Sequence, residues 1–382
     1  MAENLQSDPF EINKSILNAA VNKKPIFESF KNLCEKHKNE KIDYVDFEWK
    51  YFQFYHGNQD LIIERSPENS SPLTFYDLPM DVLEKVVGKL NLVDCLLLRK
   101  VSHDLRNLVD NAEIQCEKVS LFFQGSSSKF QVDDFSLFYE ANDDGTCQVT
   151  SRRSSAQNEK KYEEDRDHRE LITAVASAVL KNPKLKLGEF WLGVSYNASC
   201  HELLEFLNSL DFQLDVRSVG IYKIDQCIMP VLQVLQPKTL ESITMSAGEL
   251  LLHEISKMEQ WKKAKNLVWH FCNQDYQMEC LLHFKEISLC PFEFTDENLI
   301  MVRDVLLKSA HLQWCDLWSY LLRLDDEEED VVQKTSRIMS QDPSYDPETR
   351  RFWIPNSREY FQIELSTVDS SDSLTIKRVS EN

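Results

Sequence analysis

Residues 73–110 read LTFYDLPMDVLEKVVGKLNLVDCLLLRKVSHDLRNLVD. The spacing predicts three short helices. Leu78-Pro79 opens the first, because proline lacks only an N–H that would have no intrahelical partner there. Asp77 precedes it and offers a carboxylate to the orphan N–H groups. Val82, Leu83, Val86, Val87 and Leu90 then recur at helical spacing and make one face apolar. Asn91 punctuates. Leu92, Cys95, Leu96, Leu97 and Leu98 leave a second helix almost without a polar side. Ser102 caps a third helix carrying Leu105, Leu108 and Val109. A unit of this size is too small to bury so much apolar surface alone, so a neighbouring domain or a partner chain must cover part of it.

These residues resemble an F-box. The matching features are Phe75, Leu78-Pro79, the Val82/Val86/Leu90 spacing, the Leu96–Leu98 cluster, and Val101-Ser102 followed by Leu105-Arg106. The stretch departs from the common pattern at Ser102, where many F-boxes have Cys, and at Leu105, where many have Trp. The resemblance implies docking onto the Skp-type adaptor of a cullin–RING ubiquitin ligase. It implies Leu78, Pro79, Val82, Val86, Leu90, Leu97 and Leu98 as the residues that touch the adaptor or shape the surface it meets.

Composition sets outer bounds. The chain has 382 residues, long enough for two or three domains, with 42% hydrophobic and 10% aromatic residues. Its formal net charge is −20, which repels nucleic acid and anionic membranes and favours neutral or basic protein partners. The opening MAENLQSDPF has no basic and apolar secretory signal, and no apolar run approaches the length of a membrane span. The 10 cysteines are scattered, so reduced thiols and a cytoplasmic or nuclear location are expected.

The fold class expected is α+β and multi-domain. Residues 1–66 form a helical module, 73–112 the three-helix F-box, 115–320 an α/β domain, and 321–382 an acidic loop and C-terminal strands. Within 24–60, Ile26, Phe27, Phe30 and Leu33 share one helical face, and Tyr44, Phe47, Tyr51 and Phe54 another; Gly57 is a helix stop. This segment resembles the helix-turn-helix at the start of mariner-type transposases, a module that also precedes the F-box in F-box A proteins. A DNA reader needs a recognition helix rich in Arg, Lys, Asn and Gln. Residues 43–50 instead carry Asp43, Asp46 and Glu48 against Lys50, which favours a structural or protein-binding role. Residues 65–72 read as a polar linker.

Behind the F-box, 119–123, 135–140 and 147–151 read as strands, with Asn142-Asp143-Asp144-Gly145 a turn. Residues 152–170 are dense in charge and lead into a helix over 171–180. Strand candidates then centre on 190–192, 219–221, 243–245, 267–269, 287–289 and 315–317. Val219, Ile243, Leu267 and Ile287 recur at 24, 24 and 20 residues. Helical segments fill the gaps at 201–210, 226–235, 249–258, 279–284 and 297–309. A strand-plus-helix of roughly 20–29 residues is the period of a leucine-rich repeat. The asparagine ladder of such repeats is absent, so an irregular relative is expected; a compact α/β domain with a mixed sheet is the alternative. The region also resembles the FTH domain of F-box A proteins, through KVSLFF, VRSVGIYKI, LQPKTLESITM and FKEISLCPFEFTDENL. The block DDEEED at 325–330 reads as a solvated loop or a lure for a basic partner. Strands at 351–354, 360–366 and 374–379, with a turn at 370–373, make a β-meander that closes one sheet edge.

No reaction centre is visible. His270, Cys272, Cys280 and His283 lie near one another in sequence but lack the tight cysteine pair of structural zinc sites; Cys34 and His37 are a weaker candidate pair. Cys290 sits at an apolar strand end, where a thiol is expected to be buried. Paired RING ligands, a ligase cysteine and phosphate-binding or hydrolase motifs are not found. No cofactor is expected. The sequence therefore points to a non-catalytic substrate-recognition subunit of an SCF-type ubiquitin ligase, with an unknown protein target and neither nucleic acid nor membrane as partner. Two other readings remain: a chromatin-associated factor using residues 24–60, and an adaptor-bound scaffold outside a cullin complex.

Overall fold

The computed structural model describes residues 9–37, 42–63, 78–154, 159–195, 201–222, 228–246, 252–270, 278–319, 330–368 and 371–381. The chain divides after Lys85 into two compact units. Among the described residues no helix is long and apolar enough to cross a membrane.

The first unit contains α1 (Pro9–Val21), α2 (Ile26–Lys36) and α3 (Tyr44–Tyr55). Asp43 caps α3, its carboxylate accepting from Val45 N at 2.6 Å and Asp46 N at 3.3 Å. Gly57 takes φ +96° and stops the helix as expected. Ile16, Ala20, Leu33, Phe47, Tyr51 and Phe54 form the core. Phe30 meets Tyr44 edge to face at 4.9 Å. The Tyr51 hydroxyl donates to the Lys24 carbonyl at 2.6 Å, fastening the segment before α2. Sequence periodicity places no element before Lys24, yet α1 supplies Ile16 and Ala20 to this core. Asn13, Lys14 and Asn18 dilute its apolar pattern and hide it.

The second unit begins in α4 (Met80–Val87) and continues through α5 (Leu92–Leu98) and α6 (His103–Asn111). A hairpin array follows: β1 (Ile114–Phe123), β2 (Ser127–Val132), β3 (Phe135–Ala141), β4 (Cys147–Arg153) and β5 (Lys160–Glu164). Then come α7 (His168–Leu180), β6 (Leu185–Val194), α8 (His201–Asn208), β7 (Asp215–Tyr222), α9 (Ile228–Gln233) and β8 (Ser242–Ser246). They are followed by α10 (Leu252–Ile255), α11 (Glu259–Lys263), β9 (Asn266–His270), β10 (Glu286–Cys290), α12 (Asp296–Asp304) and β11 (Trp314–Ser319). The chain ends with α13 (Val331–Met339), β12 (Tyr345–Asp346), β13 (Arg351–Trp353), β14 (Glu359–Val368) and β15 (Ser371–Ser380).

All the described strands join one mixed sheet, ordered β12-β13-β14-β15-β11-β10-β9-β8-β7-β6-β1-β2-β3-β4-β5. Its centre, from β1 through β6 to β11, is parallel. Antiparallel ribbons extend it at both ends, and β15 closes on β11. α7 packs over β1, β2 and β3.

The parallel strands share a local pattern, apolar-x-x-apolar-x-apolar. It reads Cys116/Val119/Leu121, Leu187/Phe190/Leu192, Val216/Val219/Ile221, Leu240/Ile243/Met245, Ala264/Leu267/Trp269, Phe284/Ile287/Leu289 and Leu312/Cys315/Leu317, and every one of these side chains is buried. The last two positions alternate as a half-buried strand requires. The first lies three residues earlier, within β1, β6 and β7 and just ahead of β8, β9, β10 and β11.

Several elements depart from expectation. β2 and β5 carry too few apolar residues to announce themselves, and β5 sits inside the charge-dense 152–170 stretch. α13 is an unexpected helix; its N-cap Asp330 ends the acidic block and accepts from Gln333 N at 2.7 Å, while 325–329 lie outside the described residues. The helix expected at 279–284 is a 3-10 turn over Met278–Leu281. Of the turn expected at 370–373, Ser371, Asp372 and Ser373 are instead part of β15, with Ser371 paired to Val368, and residue 370 lies outside the described residues. The linker at 65–72 lies outside the described residues.

Candidate functional site

The helices after α4 are held by the residues whose spacing announced them. The Asn91 side chain accepts from Asp94 N at 2.9 Å and starts α5. Ser102 Oγ accepts from Leu105 N at 3.2 Å and starts α6. Leu92, Cys95, Leu105, Leu108 and Val109 are buried. Burial pushes the Cys95 thiol up to about 11, with Asp94 adding to the effect. Arg99 clamps Asp110 with two hydrogen bonds, 2.7 and 3.2 Å, joining α5 to α6. Arg153 of β4 reaches Asp94 at 3.2 Å, so α5 is tied to the sheet as well.

The seven residues implied for adaptor contact take different positions. Pro79 is buried, and its carbonyl accepts from Val82 N and Leu83 N at 2.9 and 3.1 Å, opening α4. Leu78, Val82, Leu90 and Leu98 are half-buried. Val86 is 37% and Leu97 55% exposed. Phe75 and Asp77 lie outside the described residues. Two further apolar side chains stand in solvent: Met80 at 61% and Val101 at 68%. Composition gave no signal to separate these from the core leucines, since periodicity ranks faces and not individual exposure. Leu97 also borders a cavity of about 420 Å³ with Val93, Leu96, Phe135, Tyr162 and Val175.

A second surface lies on the sheet, on the side opposite the buried alternation. Trp191 of β6 and Tyr222 of β7 stack there, ring centroids 5.4 Å apart and planes within 13°. Phe122 of β1 stands 6.4 Å from Tyr222. The three rings are half-buried. Two strand glycines let them lie flat: a Cβ on Gly220 would overlap the Trp191 indole, and a Cβ on Gly193 the Phe122 ring. Glu189 accepts from the Trp191 indole N–H at 2.7 Å, and Lys118 lies 5.1 Å over the same ring and 3.5 Å from Glu189. On β11 the motif recurs: Trp318, 39% exposed, donates its indole N–H to Asp316, which also accepts from Thr375 at 2.8 Å.

The remaining candidates carry no converging chemistry. His283 faces the Trp261 carbonyl at 2.8 Å, so that ring nitrogen donates, and burial lowers its pKa. Cys272 lies outside the described residues. Among the described residues no group of three or more His, Cys, Asp or Glu is placed to hold a metal ion. Cys290 is buried. A concavity of about 1150 Å³ lies at the N-terminal ends of β1, β6 and β7 and is lined by both signs of charge, among them Glu117, Lys118, Lys186, Arg217 and Glu241.

Comparison with known proteins finds two domain families in the chain. Residues 75–116 match the F-box domain and 197–335 the FTH domain. The chain carries both, the F-box first, and resembles F-box A proteins. F-box A protein 224 of Caenorhabditis elegans is 28% identical over 319 residues, covering 80% of this chain and 82% of that one. No solved structure matches the chain. The F-box domain marks Skp-binding substrate adaptors of SCF-type ligases, which are in general adaptor subunits rather than catalysts.

Proposed function

We propose that the chain is a substrate-recognition subunit of an SCF-type E3 ubiquitin ligase. The F-box, residues 73–112, holds it on the Skp-type adaptor. The domain behind it, read as leucine-rich-repeat-like from its 24-residue recurrence and its repeated strand pattern, captures a protein target. Transfer of ubiquitin belongs to other subunits, and this chain supplies proximity and orientation. The observation that carries the reading is the exposure of Val86, Leu97 and Val101 beside a completed helical core. Apolar side chains left in water on a motif of this kind are what a partner would cover.

The target is proposed to meet the sheet face bearing Phe122, Trp191 and Tyr222. Aromatic side chains offer large contact area at little entropic cost, and they concentrate binding energy at interfaces. The helical module at 1–66 is proposed as a structural or protein-binding unit. In α3 the sole lysine of the 43–50 stretch is paired with Asp46 at 3.0 Å, which argues against a phosphate-reading helix. A cytoplasmic or nuclear location goes with the ligase role.

The test is a pull-down with purified Skp-type adaptor, wild type against Leu78→Ala/Pro79→Ala and against Leu97→Asp. The expected result is strong recovery by the wild type and loss in both variants. Equal recovery of all three would refute the assignment. Co-purification of the cullin separates a ligase subunit from an adaptor-bound scaffold.

A further inference from the structure

The sheet ends at β5, Lys160-Lys161-Tyr162-Glu163-Glu164. This strand pairs with β4 on one side. Residues 160–163 are exposed, Tyr162 at 46%. An edge of this kind presents a row of N–H and C=O groups to a further strand, and charged side chains commonly blunt it. Here the order of charges is its own antiparallel complement. Rotation about a two-fold axis through Tyr162 sets Lys160 against the partner's Glu164, Lys161 against the partner's Glu163, and tyrosine against tyrosine.

Strand alternation sorts these pairs by face. Both Lys161–Glu163 pairs fall on one side, and both Lys160–Glu164 pairs fall on the other with the tyrosines between them. Registers shifted by two residues place Lys161 on Lys161 or Glu163 on Glu163. Parallel pairing in register places like on like at every charged position. Like charges directly opposite one another disfavour pairing. The edge therefore discourages promiscuous strand addition and admits one orientation in one register.

We propose that β5 is the contact through which two copies of this chain associate, joining their sheets edge to edge. The interface is isologous, as a two-fold dimer requires. Present neighbours do not compete strongly: Glu163 accepts from Thr146 Oγ1 at 2.7 Å, and Glu164 lies 3.7 Å from Arg166, both at the solvated surface. Five residues a side make a contact smaller than a permanent dimer uses. The dimer is accordingly reversible, and salt weakens it.

Sedimentation velocity on the full chain at low and high salt is the test. The wild type is expected to shift from monomer to dimer with concentration, and back with salt. Lys160→Glu/Lys161→Glu and Glu163→Lys/Glu164→Lys are each expected to stay monomeric, while their equimolar mixture regains a dimer. A Tyr162→Cys variant is expected to form a disulfide-linked dimer on mild oxidation, because directly opposed residues lie within disulfide reach; Lys160→Cys and the wild type are not. A monomeric wild type, a dimer that survives either charge variant, a mixture that stays monomeric, or a Tyr162→Cys chain that does not cross-link would each overturn the proposal. Adaptor binding is scored separately, with Leu97→Asp in a chain whose β5 is unaltered; Tyr162, which borders the same cavity as Leu97, is varied only in the cross-linking arm.

Discussion

The Trp191 indole lies flat over Gly220, in the space that any other residue's Cβ would fill. Two neighbouring strands thus cooperate: β6 supplies the ring and β7 the clearance, and Tyr222, two residues beyond Gly220, stacks on the result at 5.4 Å. Lys118 and Glu189 hold the platform from the other side, one over the ring and one on its N–H. A broad, rigid aromatic surface with satisfied polar groups is suited to binding, since little order has to be imposed on it when a partner arrives.

Gly220→Ala should displace that ring. The added methyl forces Trp191 off Tyr222, and overpacking of this kind costs about 1–3 kcal/mol. Urea unfolding should show a lowered midpoint with an unchanged slope. Tryptophan emission should change in the folded baseline as well. An unaltered midpoint and spectrum would show that the platform is not held by the glycine.

Leu97→Asp tests the proposed adaptor face without touching the core. Leu97 is 55% exposed, so the substitution should change folding stability by no more than about 0.5 kcal/mol. Covering one leucine is worth about 1.5–3 kcal/mol, and tenfold in affinity corresponds to about 1.4 kcal/mol. Adaptor affinity measured by calorimetry should fall by more than tenfold while the melting temperature holds. Val101→Asp should behave alike.

The buried thiols give a pH signature. Burial holds the Cys95 pKa up at about 11, and it raises Cys116 and Cys315 as well. At pH 8 roughly one Cys95 in a thousand is thiolate, against about a quarter of ordinary cysteines. Iodoacetamide at pH 8 should therefore modify half-buried Cys34 well before Cys95, as read by peptide mass spectrometry. The raised pKa also fixes a direction for stability. The folded chain keeps a proton that the unfolded chain sheds, so this contribution is whole below the ordinary thiol value and lost as pH rises toward 11.

The parallel strands were legible because each centre, such as Val219/Ile221 or Ile287/Leu289, places apolar residues two apart between helical segments. β5 was not, since KKYEE has no apolar alternation and owes its place to β4. The helix caps were legible one residue at a time: Asn91, Ser102, Asp43 and Gly57 act through local geometry that sequence encodes directly. The aromatic platform was hidden for a different reason. In Phe190-Trp191-Leu192 all three residues are apolar, and only the packing of the helical layer decides that Phe190 and Leu192 turn inward. The glycines at 193 and 220 were the available hint, being costly in a strand unless a close approach requires them. For the proposed adaptor face, spacing found the apolar stripe but could not tell buried Pro79 from exposed Leu97.

Ile16 offers the sharpest test of the helix that periodicity overlooked. It is 1% exposed, in a core with Ala20, Leu33, Phe47, Tyr51 and Phe54. If α1 is an integral part of the first unit, Ile16→Ala leaves a cavity against α3 and destabilises that unit by about 2–5 kcal/mol. Hydrogen exchange should then quicken throughout α1, α2 and α3, because a small three-helix core opens cooperatively. Exchange in β6–β11 should be unchanged, since the second unit has its own core. Acceleration confined to α1 would instead make it a peripheral helix, with α2 and α3 stable without it.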